Sequence, residues 1–111
     1  MRHLDKILIV LLGTLIPGAI WGQATGTING AVMDSSGAVV AGAKVTAIEA
    51  QTNVARTVIS GSDGLYVFAA LRPTNYIISV QATGFQALKQ TGVVLQVNDA
   101  LTINLTLSVV P

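Results

Sequence analysis

From Ala100 to Val110 apolar and polar residues alternate one for one. Leu101, Ile103, Leu105, Leu107 and Val109 fall on one side, and Thr102, Asn104, Thr106 and Ser108 on the other. A period of two is that of a β-strand with one buried and one wet face. Tyr76 to Ala82 repeats it, with Tyr76, Ile78, Val80 and Ala82 inward and Ser79 and Gln81 outward. A helical period of 3.6 appears nowhere after the first two dozen residues, which confines the chain to β architectures. Seven strands are expected, at about Thr27–Met33, Lys44–Ala50, Ala55–Ser60, Leu65–Ala69, Asn75–Ala82, Thr91–Val97 and Leu101–Val109. Turn-forming clusters separate them, among them Asp34-Ser35-Ser36-Gly37, Gln51-Thr52-Asn53, Arg72-Pro73-Thr74 and Asn98-Asp99. Gly61-Ser62-Asp63-Gly64 has the length and the residues of a hairpin turn. Short strands at such spacing, with no helix between them, predict an all-β fold, a seven-stranded antiparallel β-sandwich.

The first residues follow a different logic. Arg2 and Lys6 precede an apolar run from Ile7 to Ile16, Pro17-Gly18 ends it, and Gly22-Gln23-Ala24 places small residues where a signal peptidase reads. That order is a secretory signal peptide. A membrane-spanning helix needs about 20 apolar residues, more than Ile7 to Trp21 supplies. Two segments are therefore expected: a signal peptide, 1–24, and a sandwich domain, 25–111. Cleavage would remove His3 and Trp21, the chain's one His and one Trp, and leave Lys44, Arg56, Arg72 and Lys89 against Asp34, Glu49, Asp63 and Asp99. A net charge of zero provides no footprint for a nucleic acid or an acidic membrane. With no cysteine in the chain, disulfides and thiolate chemistry are excluded.

Two stretches are more specific than composition. The first runs Gly30-Ala-Val-Met-Asp34-Ser-Ser-Gly37-Ala-Val-Val40-Ala-Gly42-Ala43-Lys-Val45, and the second Asp63-Gly64-Leu-Tyr66-Val-Phe68-Ala-Ala-Leu71-Arg-Pro73-Thr-Asn-Tyr76, continuing to Gly84-Phe85. Together they resemble the carboxypeptidase regulatory-like domain, over residues 26 to 109. The resemblance implies an Ig-like, prealbumin-like Greek-key sandwich. Thr74 stands where the family commonly has Gly, and Asn75 is expected to take a positive φ there instead. The matched residues have structural readings. Asp34 with Gly37 suits an Asx turn, and Leu71 plugs the sandwich end. Tyr76 has the place of a tyrosine corner, its ring in the core and its hydroxyl on nearby backbone. In bacteria such domains resemble the periplasmic N-terminal extension of TonB-dependent outer-membrane receptors, and Thr91 to Leu107 is similar to the end of that module. Pro111 ends the chain without plug or barrel strands. The expectation is a stand-alone exported module or a piece of a larger receptor, with any membrane association made through a receptor barrel.

Without His after the expected cleavage, zinc-peptidase ligand sets and Ser-His-Asp or Cys-His arrangements have no members. No phosphate-cradling G-x-x-x-x-G-K-[ST] occurs. Asp34, Asp63 and Asp99 read as turn formers and Glu49 as a charge near a strand end, not as a glycosidase pair or a calcium site. Lys44, Asn104 and Glu49 are the residues an internal Lys–Asn isopeptide would use, and these types are too common to support one. Asn104-Leu105-Thr106 matches the N-glycosylation triplet by chance. Strand parity sends Tyr66, Phe68 and Tyr76 into the core, and only Phe85 remains as a further aromatic in the domain.

The expected function is a non-catalytic exported module of the bacterial cell envelope, located in the periplasm or at the outer membrane, with no catalytic, cofactor or metal site and no cofactor. It would serve as a structural or interaction domain with a protein partner, belonging to or derived from a TonB-dependent receptor. The alternative is a carbohydrate-binding module, which the starch-binding-like grouping of the fold suggests. Such sites display Trp or Tyr side by side, a pattern the parity of Tyr66, Phe68 and Tyr76 disfavours.

Overall fold

The computed structural model describes residues 24–111. The expected signal peptide lies outside the described residues except for Ala24. Eight strands follow in order: β1 (Gly26–Asp34), β2 (Lys44–Glu49), β3 (Ala55–Ile59), β4 (Leu65–Leu71), β5 (Asn75–Gln81), β6 (Leu88–Val94), β7 (Ala100–Thr102) and β8 (Leu105–Leu107). They form two four-stranded sheets, β3-β2-β5-β6 and β4-β1-β7, with β8 pairing further along β1. The inner faces meet in one core. Ile28, Phe68 and Leu107 from the first sheet and Val45, Ile78 and Val80 from the second have no measurable exposure. Each such side chain contributes about 1.5–3 kcal/mol by leaving water. The fold is an all-β sandwich, as the alternation implied.

Four details depart from the sequence reading. The expected last strand, Leu101–Val109, is two short ones, both running parallel to β1: Ile28 faces Leu101 and Val32 faces Leu105. The break falls at Ile103-Asn104. There the hydroxyl of buried Tyr66 donates to the Ile103 carbonyl at 2.6 Å, while the Ile103 amide bonds Asn29 O at 2.7 Å. Asn104 Oδ1 accepts from the Ala31 amide at 3.0 Å. The ladder thus runs through side chains where the carbonyl turns in. Val109, expected inward, is 63% exposed, because the chain has left the sheet to bridge with Phe85 on the β5–β6 connection.

Gly61–Gly64 is not a hairpin. Gly64 takes φ +77° and its amide bonds Gly61 O at 2.9 Å, but the turn carries the chain from one sheet to the other. β3 pairs with β2 and β4 with β1. The sixth strand begins three residues earlier than expected, at Leu88. Its pairing slips between Tyr76 and Ile78, opposite Gly92 at φ +72°, and this bulge hides the strand's parity. Asn75 has no positive φ; the left-handed residue of that region is Ala70, at φ 55°. A second slip, between Gly26 and Ile28, places it in a bulge at the end of β4.

Burial pushes the Tyr66 phenol up to about 12. The folded state therefore keeps the proton where the unfolded chain, titrating near about 10, releases it. Stability is intact below about pH 10 and is lost as pH rises toward 12. Urea midpoints measured at about pH 9 and pH 11 should fall in the native chain and fall much less in Tyr66→Phe. An equal fall in both would contradict this origin. Tyr76, also raised by burial, accounts for the remainder.

Candidate functional site

β3 and β4 lie at the same side of the sandwich, one in each sheet, and a cleft separates their edges. Arg56 sits in it. In the β2–β3 register Arg56 stands opposite Ala47, which is buried, so its side chain leaves β3 on the face toward the other sheet while the residue stays exposed at the edge. Its Nη1 donates to the carbonyls of Ala69 at 2.7 Å and Ala70 at 3.4 Å, tying the end of β4 to β3. Ala70 holds its left-handed conformation here, a local strain that the β4 bulge and this bond maintain. Beside Arg56 is a cavity of about 200 Å³ lined by Ala47, Glu49, Val54, Leu71, Arg72 and Tyr76.

Glu49 ends β2 against this cavity. Its Oε1 accepts from Arg72 Nη2 at 2.8 Å and from Thr52 Oγ1 at 3.0 Å. The Glu49 side chain is 12% exposed and that of Arg72 65%, so the pair is half sheltered and its net worth small. Tyr76 forms the floor. Its hydroxyl donates to Arg72 O at 2.6 Å, which is the expected corner. Burial raises its phenol, the Glu49 carboxylate adds to the rise, and Arg72 and Arg56 oppose it. Tyr76→Phe should cost about 1 kcal/mol in thermal denaturation through this one bond. An unchanged melting temperature would remove the corner from the account.

Taken together, the cleft presents two guanidinium groups against one carboxylate, over an apolar wall. Arg56 uses only Nη1 toward the protein; its Nε–Nη2 edge has no protein partner among the described residues. Such an edge matches a carboxylate in two parallel hydrogen bonds.

The other residues considered from sequence do not assemble. Asp34 Oδ1 accepts from the Ser36 amide, the Ser36 hydroxyl and the Ala38 amide, the expected Asx turn. The Ser36 hydroxyl is the main reason its carboxyl titrates below the usual range. Asp63 Oδ1 accepts from Leu65 N and Asp99 Oδ2 from Gln96 N, each within its own turn. No three acidic, His or Cys side chains converge among the described residues. Lys44 and Glu49 occupy opposite ends of β2, and Asn104 belongs to the other sheet, so the isopeptide set is dispersed. The rings of Tyr66 and Tyr76 are 2% exposed, and Tyr66 packs edge-on to Phe68 at 5.9 Å; none of them forms a stacking platform. The cleft itself escaped the sequence. Its signal was a single Arg in a strand otherwise free of charge, and the alternation of Ala55 to Ile59 is too weak to say which way that Arg points.

Comparisons with solved structures agree on the fold. Wild-type catechol 1,2-dioxygenase from Acinetobacter radioresistens superposes with a TM-score of 0.62 at 16% identity, over 80% of this chain and 53% of that one. A provisionally assigned carbohydrate-binding protein from Bacteroides uniformis gives 0.63 at 16% identity, over 78% and 42%. Hydroxyquinol 1,2-dioxygenase from Pseudomonas putida gives 0.60 at 12% identity, over 82% and 58%. This chain thus spans about half the length of these structures, and at such identity the likeness is one of fold alone. No curated protein matches the sequence significantly. The model of the carboxypeptidase regulatory-like domain matches residues 27–108, from the first strand to just past the last. The chain therefore belongs to the carboxypeptidase regulatory-like domain family.

Proposed function

We propose that this protein is a non-catalytic module of the bacterial cell envelope that is exported and works by binding another macromolecule. The carrying observation is the β3–β4 cleft, which offers charge and hydrogen-bond donors at a sheet edge and no nucleophile paired with a base. The order of basic, apolar and small residues before Thr25 supports export. Similarity of Thr91 to Leu107 to the end of receptor extensions supports the finer reading, a module belonging to or derived from a TonB-dependent receptor.

The full chain, tagged at its C-terminus and produced in a Gram-negative host, should appear in the periplasmic fraction with an intact mass that begins at Thr25. Cytoplasmic retention with the first 24 residues attached would overturn export. For the receptor reading, a barrel-coding frame continuing past the Pro111 codon is the expected result, and a stop codon there is the contrary one.

A carbohydrate-binding role is the second reading, favoured by the likeness to the Bacteroides uniformis protein. Among the described residues Tyr66 and Tyr76 do not supply a stacking platform for it, since both are buried and hydroxyl-bonded inward. Retardation in polysaccharide affinity gels, abolished by Arg56→Gln, would move the assignment to this class.

A further inference from the structure

A two-sheet sandwich has four edges, and here they differ. On β4, the Leu65 amide is taken by Asp63 Oδ1 and its carbonyl by the Gly61 amide, while Ala69 O is taken by Arg56; little beyond the Val67 rung remains. β7 and β8 are three residues each and interrupted. β6 carries Lys89 and the Gly92 bulge. Short strands, charges and bulges are the ways natural edges refuse another strand.

β3 is the exception. Its register with β2, extended by the bonds Glu49 N to Val54 O and Ser60 N to Ala43 O, turns the main-chain groups of Val54, Arg56, Val58 and Ser60 toward β2. Those of Ala55, Thr57 and Ile59 point outward, three successive rungs without a protein partner among the described residues. No proline or bulge interrupts β3, and Ile59 is 60% exposed. The strand's one charge, Arg56, faces the cleft.

We propose that this free edge receives an extended acidic peptide segment, its main chain pairing with Ala55, Thr57 and Ile59 and its Asp or Glu carboxylate entering the cleft to meet the Nε–Nη2 edge of Arg56. The inference deepens the interaction-module reading and rests on it. Strand addition draws affinity from main-chain rungs and specificity from alternate side chains. The alternate side chain beside Arg56 would lie about 5 Å away across the new pair, within reach of a carboxylate. Charge selects the sign, since Arg56 and Arg72 stand in the cleft against Glu49 alone, and Glu49 is already engaged by Arg72 and Thr52. The same charge disfavours a second copy of this chain. Antiparallel pairing of two β3 edges would bring the two Arg56 side chains together on one face, and like charges so placed destabilise the pair.

The test uses the exported full chain and a fluorescein-labelled peptide, Thr-Val-Thr-Glu-Thr-Val-Thr, blocked at both ends, read by fluorescence anisotropy. Its Glu-to-Gln twin should bind about tenfold more weakly. A twin N-methylated at alternate amides should not bind, because it cannot form the rungs. Arg56→Gln should lower the acidic peptide to the level of the Gln twin and leave the Gln twin's own affinity in place, which also reports an intact edge. Lys89→Gln, on the far edge, should change nothing. Equal binding of the Glu and Gln peptides, undiminished binding of the N-methylated peptide, an equal loss in Lys89→Gln, or no binding at all would each overturn the proposal. Export is read from fractionation and N-terminal mass, so its failure is separable from failure here.

Discussion

Replacing Gly30 with alanine is expected to destabilise the sandwich by about 4 kcal/mol, the sum of a steric clash and two lost hydrogen bonds. Gly30 lies inside β1, where glycine ordinarily weakens a strand. Its presence is explained by what passes over it. An added Cβ would land on the Ile103 carbonyl and within 3.1 Å of the Tyr66 ring. Neither neighbour has room to retreat. Ile103 is fixed by its amide to Asn29 O at 2.7 Å, and its carbonyl accepts the Tyr66 hydroxyl at 2.6 Å. Relieving the clash breaks both bonds and loosens β8 from β1. Urea denaturation followed by far-ultraviolet circular dichroism is the measurement, and a loss below about 1 kcal/mol would show that Ile103 yields freely.

The second large effect belongs to Ser60, the one buried polar side chain of the described core at 4% exposure. Its hydroxyl donates to Val40 O at 2.8 Å and accepts from the Ala43 amide at 2.9 Å. Backbone bonds from Ser60 N to Ala43 O and from Gly42 N to Ser60 O complete the tether. Together they pin the β1–β2 connection over the end of β3. Ser60→Ala preserves the backbone bonds and strands one buried donor and one buried acceptor, so the expected cost is about 3 kcal/mol. In a domain of this size that corresponds to a fall of about 15 °C in melting temperature. A fall of only a few degrees would mean that water reaches Val40 O and replaces the hydroxyl.

These two positions mark the limits of what the chain discloses as a string. Alternation located β1, β2, β4 and β5 within about a residue or two, because each has one face in the core and the hydrophobic effect writes that face into every second residue, whereas the exposed β3 was bounded by its flanking turn residues. The same alternation over-read the last strand, since it carries no trace of a carbonyl that turns inward to meet Tyr66. It also left Ser60 unremarked, as a hydroxyl inside an apolar region looks no different from one at a strand end. Asp63-Gly64 correctly signalled a tight turn, but a turn of that length serves a hairpin and a sheet-to-sheet crossing equally well. The candidate cleft was the least legible part. Arg56, Glu49, Ala70, Arg72 and Tyr76 come from four separate stretches, and only the pairing of distant strands makes them neighbours. Glu49 read as a solvated charge; it is in fact paired with Arg72, a partner 23 residues away.

The parallel pairing of β1 with β7 and β8 also has a kinetic side. β1 is the first strand of the domain and lies inside its sheet, yet the partners on one flank are the last to be synthesised, as the match of Val32 with Leu105 shows. Its other flank, β4, becomes available midway. Contacts so distant along the chain close slowly, because the entropy of the intervening loop is lost before the pairing returns anything. Until Leu107 has emerged, β1 lacks the parallel partners of one flank, and the layer that carries Ile28 and Val32 is incomplete. What closes last is therefore the seam on which Leu105 and Leu107 join β1, whereas the β3-β2-β5-β6 sheet has every strand it needs once Val94 is made.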